Sequence, residues 1–469
     1  MDLTYAPPQT MRRPVSVGGR YLGVLGVCLL GYALFSRAFA YLGVPPLFVG
    51  EAMLGVGLVV AAGSGALGAA SRSWTVRLWL LLAVWTVART VPYLGLHGLD
   101  AARDAMQVFY GLYAVVVASL VLAEPDRLVA LVQRYGRFVA VMLAVVWLVY
   151  LVAKQFEAAL PRLPWADVPL LYVKGGDLMV HLTGIVAALV LGLVRASPAR
   201  WALAAFSAGI IMVSNRGGMV AFVLGLGVVW LLRPPGAGVG RFAYAFVLLV
   251  LLGLMAGPLV DAQVQGGSRD LSVGQVVENV KSIFVPSGSS TLDGTKRWRM
   301  LWWGEIVDYT VRGHYFWTGK GFGLNLAEAD GFVVAGDDGL RSPHNGHLTI
   351  LARAGVPGFL LWVALHAAWV GAVLRAWFLS RAADHRRWTA LFAWLLGFWT
   401  AALANASFDV YLEGPMGAVW VWTVIGLGVA AARLYATRPD LLAALDAPLP
   451  DPHGDSAQPP AARRPAFGW

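Results

Sequence analysis

The sequence predicts an all-α polytopic membrane protein with about twelve transmembrane helices. Hydrophobic residues make up 58% of the 469 residues and charged residues only 13%, whereas charged residues form roughly a quarter of an ordinary soluble domain. Apolar runs that approach the roughly 20 residues needed to cross a bilayer recur along the chain. The 54 Gly and 20 Trp residues also suit closely packed membrane helices with aromatic anchors at the interface.

Twelve apolar runs account for the predicted spans. Two neighbouring runs, 201–213 and 219–232, are short, so tilted, broken or re-entrant helices are the alternative there. No internal repeat is visible, which disfavours transporter families built from two related halves. The runs lie at residues 21–36, 46–66, 75–92, 105–123, 138–153, 178–195, 201–213, 219–232, 242–260, 356–374, 388–407 and 416–433.

The distribution of Lys and Arg predicts that both chain ends are cytoplasmic, because cytoplasmic loops retain positive charge. With the N-terminus inside, 20 of the 36 basic residues fall on the cytoplasmic side. Nine more lie in one long segment, 261–355, and long loops are exempt from this bias. The short loops and helix ends of the opposite side hold seven: Arg37, Arg89, Arg103, Lys154, Arg162, Lys174 and Arg216.

The chain therefore divides into five predicted parts. Residues 1–20 form a cytoplasmic tail, 21–260 carry helices one to nine, and 261–355 form a long periplasmic loop between helices nine and ten. Residues 356–437 carry helices ten to twelve, and 438–469 form a disordered cytoplasmic tail rich in Pro, Ala and Asp. No small-residue cleavage site follows the first run, so we expect an uncleaved span.

The sequence excludes several common chemistries. The single cysteine, Cys28, rules out an intramolecular disulfide, a Cys-ligated zinc site and a CxxC redox pair. DxD and HExxH motifs are missing, so no metal or other cofactor is predicted. The segment from Gly313 to Lys320 is one residue too long for an ATP-binding P-loop, and Gly321 stands where Ser or Thr must bind magnesium. No nucleic-acid partner is predicted, because the formal charge of +10 comes from Arg residues scattered between apolar runs.

The segment 261–355 contains the features that suggest chemistry. Residues 296–317 predict an amphipathic helix on the membrane surface, followed by a GKGFG turn over residues 319–323. In SPHNGHLTILARAGVPGFLLW, residues 342–362, a His-Asn pair opens a helix that leads into the tenth span. The apolar positions of the amphipathic helix are Trp298, Leu301, Trp302, Ile306 and Tyr309.

These features resemble motifs of the O-antigen ligase and polymerase superfamily. The spacing from the His-Asn pair to a Leu and then to two Gly residues is similar to that of the family. Arg299 with the helix and GKGFG turn that follow it resembles the family's Arg-helix-Gly-turn segment, and SNRGGMVAF, residues 214–222, resembles its Ser-Arg-Gly motif. One departure is Arg353, where many members carry Glu. It leaves open which subfamily this is and whether Arg353 binds an anion.

The resemblance implies a lipid-linked glycan transferase with a fold like that of the C-type glycosyltransferases. It implies an undecaprenyl-diphosphate-linked glycan donor, a glycan or lipid A-core acceptor of lipopolysaccharide synthesis, and a setting among membrane lipids. The enzyme would lie in the bacterial inner membrane with its active site in the external loop, facing the periplasm. Because no metal motif is present, cations of the protein must bind the diphosphate, and Arg suits bidentate phosphate contacts.

Three residues are the predicted catalytic set. His344 is expected to take or orient the acceptor proton. Arg216 and Arg299 are expected to stabilise charge on the leaving diphosphate, with inversion at the sugar. Structural roles are the alternatives: His344 capping or packing a loop, Arg216 reaching from a short turn to the interface, and Arg299 as a solvated charge on an amphipathic helix.

Further residues are predicted to bind substrate. Three arginines at outward helix ends are suited to the donor, although structural ion pairs with Glu51, Asp100 or Asp104 are the alternative. His347 lies nearly on the helix face of His344. The complete set is Arg37, Arg89, Arg103, Asn345, His347, Arg353, Tyr411 and Glu413.

Ligase activity is favoured over polymerase activity, because a single long outer loop close to the C-terminal spans carries the motifs. A polymerase extending the glycan on its carrier would use the same motifs. A flippase or transporter would need ionisable residues within several spans, and His181 with Glu51 are too few. A non-catalytic scaffold is the remaining alternative.

Overall fold

Each of the eleven predicted runs that fall on described residues contains a helix. The computed structural model describes residues 16–166, 168–212, 215–235, 240, 247, 290–334 and 339–445, and it is mostly helical. The ninth predicted run, 242–260, lies outside the described residues apart from residue 247. Among the described helices, seven are long and apolar enough to cross a membrane, and four further apolar helices are shorter. This is a polytopic helical membrane protein.

The described elements follow one another in a simple order. Two short antiparallel strands, β1 (Gly43–Val44) and β2 (Leu47–Phe48), lie between the second and third helices. The helices are α1 (Val17–Phe35), α2 (Arg37–Ala40), α3 (Val49–Gly63), α4 (Leu67–Ala70), α5 (Trp74–Thr90), α6 (Leu94–His97), α7 (Leu99–Phe109), α8 (Leu112–Ala123), α9 (Asp126–Gln155), α10 (Gly175–Val190), α11 (Pro198–Met212), α12 (Arg216–Leu232), α13 (Ser290–Val307), α14 (Leu326–Asp330), α15 (Gly346–Ala382), α16 (Arg386–Ala406) and α17 (Pro415–Thr437).

The centre of the bundle consists of α8, α10, α16 and α17, whose residues are mostly buried. Glycines allow these helices to pack closely. A Cβ on Gly225 would lie 2.6 Å from Thr183 Cγ2 and 2.8 Å from the Gly397 oxygen. A Cβ on Gly426 would lie 2.5 Å from the Ala114 oxygen. Small residues let membrane helices approach one another, and Gly225 and Gly426 have this role here.

The predicted amphipathic helix is present as α13, although it begins earlier than the pattern indicates and packs differently. Trp302 and Ile306 are fully buried in a small hydrophobic cluster that includes Leu351. The apolar face of α13 therefore packs on the protein, and the prediction of a helix resting on the membrane surface is incomplete. Leu301, on the same helix, is 57% exposed and lies outside this cluster.

Helix α15 is interrupted at Gly355, whose φ of 68° and ψ of −175° are not helical. Pro357 follows and has no N–H to donate, so helical hydrogen bonds cannot continue there. The Val356 N–H instead donates to the Phe316 oxygen at 2.8 Å. The break falls at the predicted boundary between the external segment and the tenth run.

The GKGFG turn fills this break. The N–H of Lys320 donates to the Ala352 oxygen at 2.7 Å, and the N–H of Gly321 donates to the Arg353 oxygen at 3.0 Å. Carbonyl groups that lose their partners at the break are satisfied in this way. Gly319, with φ of 58°, has no room for a side chain, because a Cβ there would lie 2.5 Å from the Arg353 oxygen.

Candidate functional site

His344 lies immediately before α15, and Asn345 caps that helix. The Asn345 Oδ1 accepts hydrogen bonds from the N–H groups of His347 and Leu348, each at 3.1 Å. Asn is favoured as a cap because its side chain satisfies N–H groups that have no partner in the first turn. The prediction that the His-Asn pair opens a helix is confirmed. The His344 side chain is 28% exposed, and its φ of 52° is uncommon for a residue other than Gly.

Asp409, in the loop between α16 and α17, faces His344. Its Oδ1 lies 3.7 Å from His344 Nδ1 and accepts a hydrogen bond of 2.7 Å from Lys174 Nζ. Burial would raise the pKa of the Asp409 carboxyl, but His344 and Lys174 hold it well below its usual range. Burial also disfavours the charged form of Lys174, but Asp409 and Asp177 outweigh it and raise the pKa of Lys174. His344 therefore has a permanently ionised neighbour near neutral pH.

Arg299 and the start of α12, where Arg216 lies, contact the same loop from two different helices. Arg216 is the first residue of α12. Gly217, the next residue, packs on the loop so closely that a Cβ there would lie 3.0 Å from Phe408 Cβ. Arg299 NH1 donates a hydrogen bond of 3.0 Å to the Phe408 oxygen. Because Phe408 directly precedes Asp409, the three predicted catalytic residues come together around one short loop, residues 407–414.

Close contacts hold the starts of α10 and α12 beside the end of α16. Asn215 caps α12, since its Oδ1 accepts a hydrogen bond of 2.6 Å from the Gly218 N–H. A Cβ on Gly218 would lie 2.9 Å from Gly176 Cα, and a Cβ on Gly176 would lie 2.5 Å from Asn405 Oδ1. The absence of side chains at these glycines therefore fixes the position of Arg216 relative to α10 and α16.

Tyr411 and Glu413 belong to the same loop as Asp409, where Tyr411 is buried and Glu413 is half-buried. Glu413 Oε1 accepts a hydrogen bond of 2.8 Å from Thr349 Oγ1. Burial raises the pKa of Glu413, although Ser342 and Thr349 oppose the rise. Tyr411 is 4% exposed, and its hydroxyl has no hydrogen-bond partner among the residues that the structure describes. Contact of either residue with an acceptor stays a prediction.

Arg353 lies in the buried region behind the GKGFG turn. Its NH2 forms an ion pair of 2.9 Å with Asp104 Oδ2, and its NH1 donates to the Leu324 oxygen at 3.1 Å. The Arg341 NH2 lies 3.4 Å from the same Asp104 oxygen and 2.9 Å from the Gly323 oxygen. These contacts attach the turn to α7, so the position of Arg353 indicates a structural role.

Arg89 and Arg103 also contact the protein itself. Arg89 Nε donates to the Thr318 oxygen at 2.7 Å, next to the GKGFG turn. Arg103 lies 3.1 Å from Asp100 and 3.3 Å from Asp104, which matches the ion pairs considered as its alternative. Arg103 therefore lies with Arg341 and Arg353 around Asp104, and not at the loop of Asp409.

Arg37 and His347 complete the predicted set. The Arg37 guanidinium lies 5.8 Å and 5.9 Å from the centres of two tyrosine rings. His347 Nδ1 accepts a hydrogen bond of 3.1 Å from Trp362 Nε1, and its Nε2 lies 3.1 Å from the Leu403 oxygen. Both imidazole nitrogens of His347 are therefore engaged within the bundle.

Two residues of the site, Lys174 and Asp409, were not selected from the sequence. Lys174 was counted only among the cations of the outward side, and Asp409 only as part of the last outer loop. The sequence feature that could have identified them is that each is an ionisable residue at the end of an apolar run. The sequence does not reveal that they meet, because 235 residues separate them.

The fold and the site define a helical membrane protein with His, Asp, Lys and Arg side chains gathered at one end of its bundle. Residues 201–363 match the family model for O-antigen ligase. This segment contains Arg216, Arg299, the GKGFG turn and the His344–Asn345 pair. The match confirms the resemblance found in the sequence, because the matched segment is similar to O-antigen ligase, and this similarity indicates glycan transfer at a membrane. No curated protein matches the chain.

Proposed function

We propose that this chain is an O-antigen ligase-type glycosyltransferase. It moves a glycan from an undecaprenyl-diphosphate carrier to an acceptor hydroxyl on the periplasmic face of the bacterial inner membrane. The observation that carries the proposal is the convergence of His344, Arg216 and Arg299 on the loop of Asp409. A base beside two guanidinium groups is suited to an attack in which a diphosphate leaves.

In the proposed reaction, the acceptor oxygen attacks the anomeric carbon of the sugar attached to the carrier. A new C–O bond forms, the bond to the diphosphate oxygen breaks, and the diphosphate leaves with the electron pair. A single attack from the opposite face inverts the anomeric carbon. Arg216 and Arg299 bind the diphosphate and stabilise its growing charge, because guanidinium groups make strong bidentate contacts with phosphate oxygens.

His344 receives the proton of the acceptor hydroxyl. Its Nδ1 faces the Asp409 carboxylate at 3.7 Å, so a proton on Nδ1 is stabilised and Nε2 keeps its lone pair. Asp409 then also stabilises the imidazolium that forms, in the manner of the carboxylate in a Ser-His-Asp triad. Lys174 holds Asp409 in place. Asp409 and Lys174 are therefore positioning residues in this mechanism.

The test uses purified protein in proteoliposomes with undecaprenyl-diphosphate-linked glycan and lipid A-core acceptor. The His344→Ala variant should lose about a hundredfold to ten-thousandfold in rate without losing stability. His385→Ala is the matched control. His385 lies in the loop between α15 and α16 and contacts the Tyr435 hydroxyl at 3.1 Å. Its replacement should leave the transfer rate unchanged. Transfer by His344→Ala at the wild-type rate would refute the assignment. Transfer should also continue in EDTA and without ATP.

The same assay separates a ligase from a polymerase. Transfer of the glycan to lipid A-core is the result expected of a ligase. Growth of the glycan on its carrier, with no transfer to lipid A-core, would assign polymerase activity instead. The two activities differ only in the acceptor, so the roles of His344, Arg216 and Arg299 are the same in both.

A further inference from the structure

A cavity of about 530 Å³ lies between α1, α9 and α17, with contributions from α8 and α16. Its walls are mostly aliphatic and aromatic. Val27 and Val141 belong to the lining and are 68% and 42% exposed, so the cavity opens towards the side of the bundle that faces lipid. An opening of this kind in a membrane protein is accessible to the acyl chains of the bilayer.

Glycine makes room along the α1 wall of the cavity. Gly23 and Gly26 both line it. A Cβ on Gly26 would meet no atom within 4 Å, and a Cβ on Gly23 would meet only the Arg134 guanidinium, at 3.4 Å. The groove is therefore open space beside α1, and it has room for a Cβ at residue 26.

One end of the cavity is basic. Arg134 and Arg137 are among its lining residues and lie three positions apart on α9, which places them on one helix face. The Arg134 NH1 donates to the Gly19 oxygen at 3.2 Å, close to the start of α1, and Arg137 is exposed. No acidic residue occurs among the described residues that line the cavity. The bias of positive charge predicts that this end is cytoplasmic, at the depth of lipid headgroups.

We propose that this cavity is a binding site for an anionic phospholipid of the cytoplasmic leaflet. The phosphate lies at Arg134 and Arg137, and an acyl chain follows the α1 wall past Gly26. The charge of the two arginines selects an anionic headgroup, because each basic residue near an anionic surface contributes favourably to binding. The site is separate from the loop of Asp409 and does not depend on the proposed reaction.

The experiment is native mass spectrometry of full-length protein released from nanodiscs of equal phosphatidylglycerol and phosphatidylcholine. Wild-type protein should retain phosphatidylglycerol in preference to phosphatidylcholine. Arg137→Gln should weaken that preference about fivefold, and the Arg134→Gln/Arg137→Gln double variant should remove most of it. Arg375→Gln, an exposed arginine on α15, is the matched control and should behave as wild type.

A second variant pair tests the groove itself. Gly26→Trp should fill the groove and lose the retained lipid. Gly55→Trp on α3, where a Cβ also meets nothing within 4 Å, should keep it. Equal retention of the two lipids by wild type, equal losses in the two Trp variants, or a retained polyprenyl phosphate in place of phosphatidylglycerol would each overturn the proposal.

Discussion

Lys174 Nζ lies 2.7 Å from Asp409 Oδ1, although the two residues are 235 positions apart in the chain. Lys174 directly precedes α10 and Asp409 follows α16, so this ion pair joins two helices of the buried centre. The same carboxylate faces His344. The ion pair therefore connects the packing of the bundle to the orientation of the proposed base.

Replacing Lys174 with Met should lower the free energy of unfolding by roughly 1–3 kcal/mol, because the Asp409 carboxylate then remains largely buried without its main partner. Adding Asp409→Asn should recover part of this loss. Thermal unfolding in detergent of the wild type, both single variants and the double variant gives the coupling energy. A coupling energy of zero would show that the pair contributes nothing.

The same pair should give a defined dependence of stability on pH. The pKa of Asp409 is below its value in the unfolded chain, so its contribution is present above about pH 4 and is lost as the pH falls further. The raised pKa of Lys174 keeps its contribution intact up to about pH 10, and that contribution is lost only above this range. The stability difference between the wild type and Asp409→Asn should therefore shrink as the pH falls below about pH 4. Unfolding temperatures measured between about pH 5 and pH 3 test it, and a difference that stays unchanged below about pH 4 would contradict it.

Arg216→Lys should reduce transfer about a hundredfold to a thousandfold, because Lys keeps the charge but loses the planar fork that binds phosphate bidentately. Arg233→Lys makes the same substitution at the other end of α12 and should be silent. Initial rates in the proteoliposome assay measure both. If Arg216→Lys transfers as fast as wild type, a bidentate contact with the diphosphate is excluded.

Gly319→Ala should destabilise the protein more than Gly331→Ala does. Both glycines have positive φ, 58° and 77°, so each substitution incurs a strain of about 1–2 kcal/mol. Only at Gly319 would the new Cβ also meet backbone, at 2.5 Å from the Arg353 oxygen, whereas at Gly331 it meets nothing within 4 Å. Unfolding temperatures in detergent compare the two. Equal effects would mean that the GKGFG turn does not need its close contact with α15.

Cysteine labelling tests the predicted orientation. In a Cys28→Ser background, an impermeant reagent applied outside should label a cysteine at Ser289 and should not label one at Ser456. The expectation follows from the bias of basic residues, 20 on the cytoplasmic side against seven on the other. Labelling of Ser456→Cys alone would show that the orientation is the opposite one. Labelling of both Ser456→Cys and Ser289→Cys would show that the bias of basic residues does not indicate the orientation.

The amino-acid sequence alone predicted a polytopic helical membrane protein and the main residues of the candidate site. Apolar runs locate helices because each membrane helix satisfies its own backbone hydrogen bonds, so the signal is local to each segment. The capping role of Asn345 was also visible in the sequence, since a cap acts within the first turn of its own helix. His344, Arg216 and Arg299 were identified by short motifs, and the structure places them around one loop.

The three-dimensional fold was needed to show which of these side chains meet and what their neighbours are. The contact between Lys174 and Asp409, and that between Arg353 and Asp104, join segments far apart in the chain, and no local pattern encodes them. The exposure of Leu301 likewise depends on the position of the neighbouring helix. The periodicity of 3.6 residues per turn predicts an apolar face, but it does not predict which residues at the border of that face become buried. Long-range packing therefore determines which ionisable residues form ion pairs within the bundle and which surround His344.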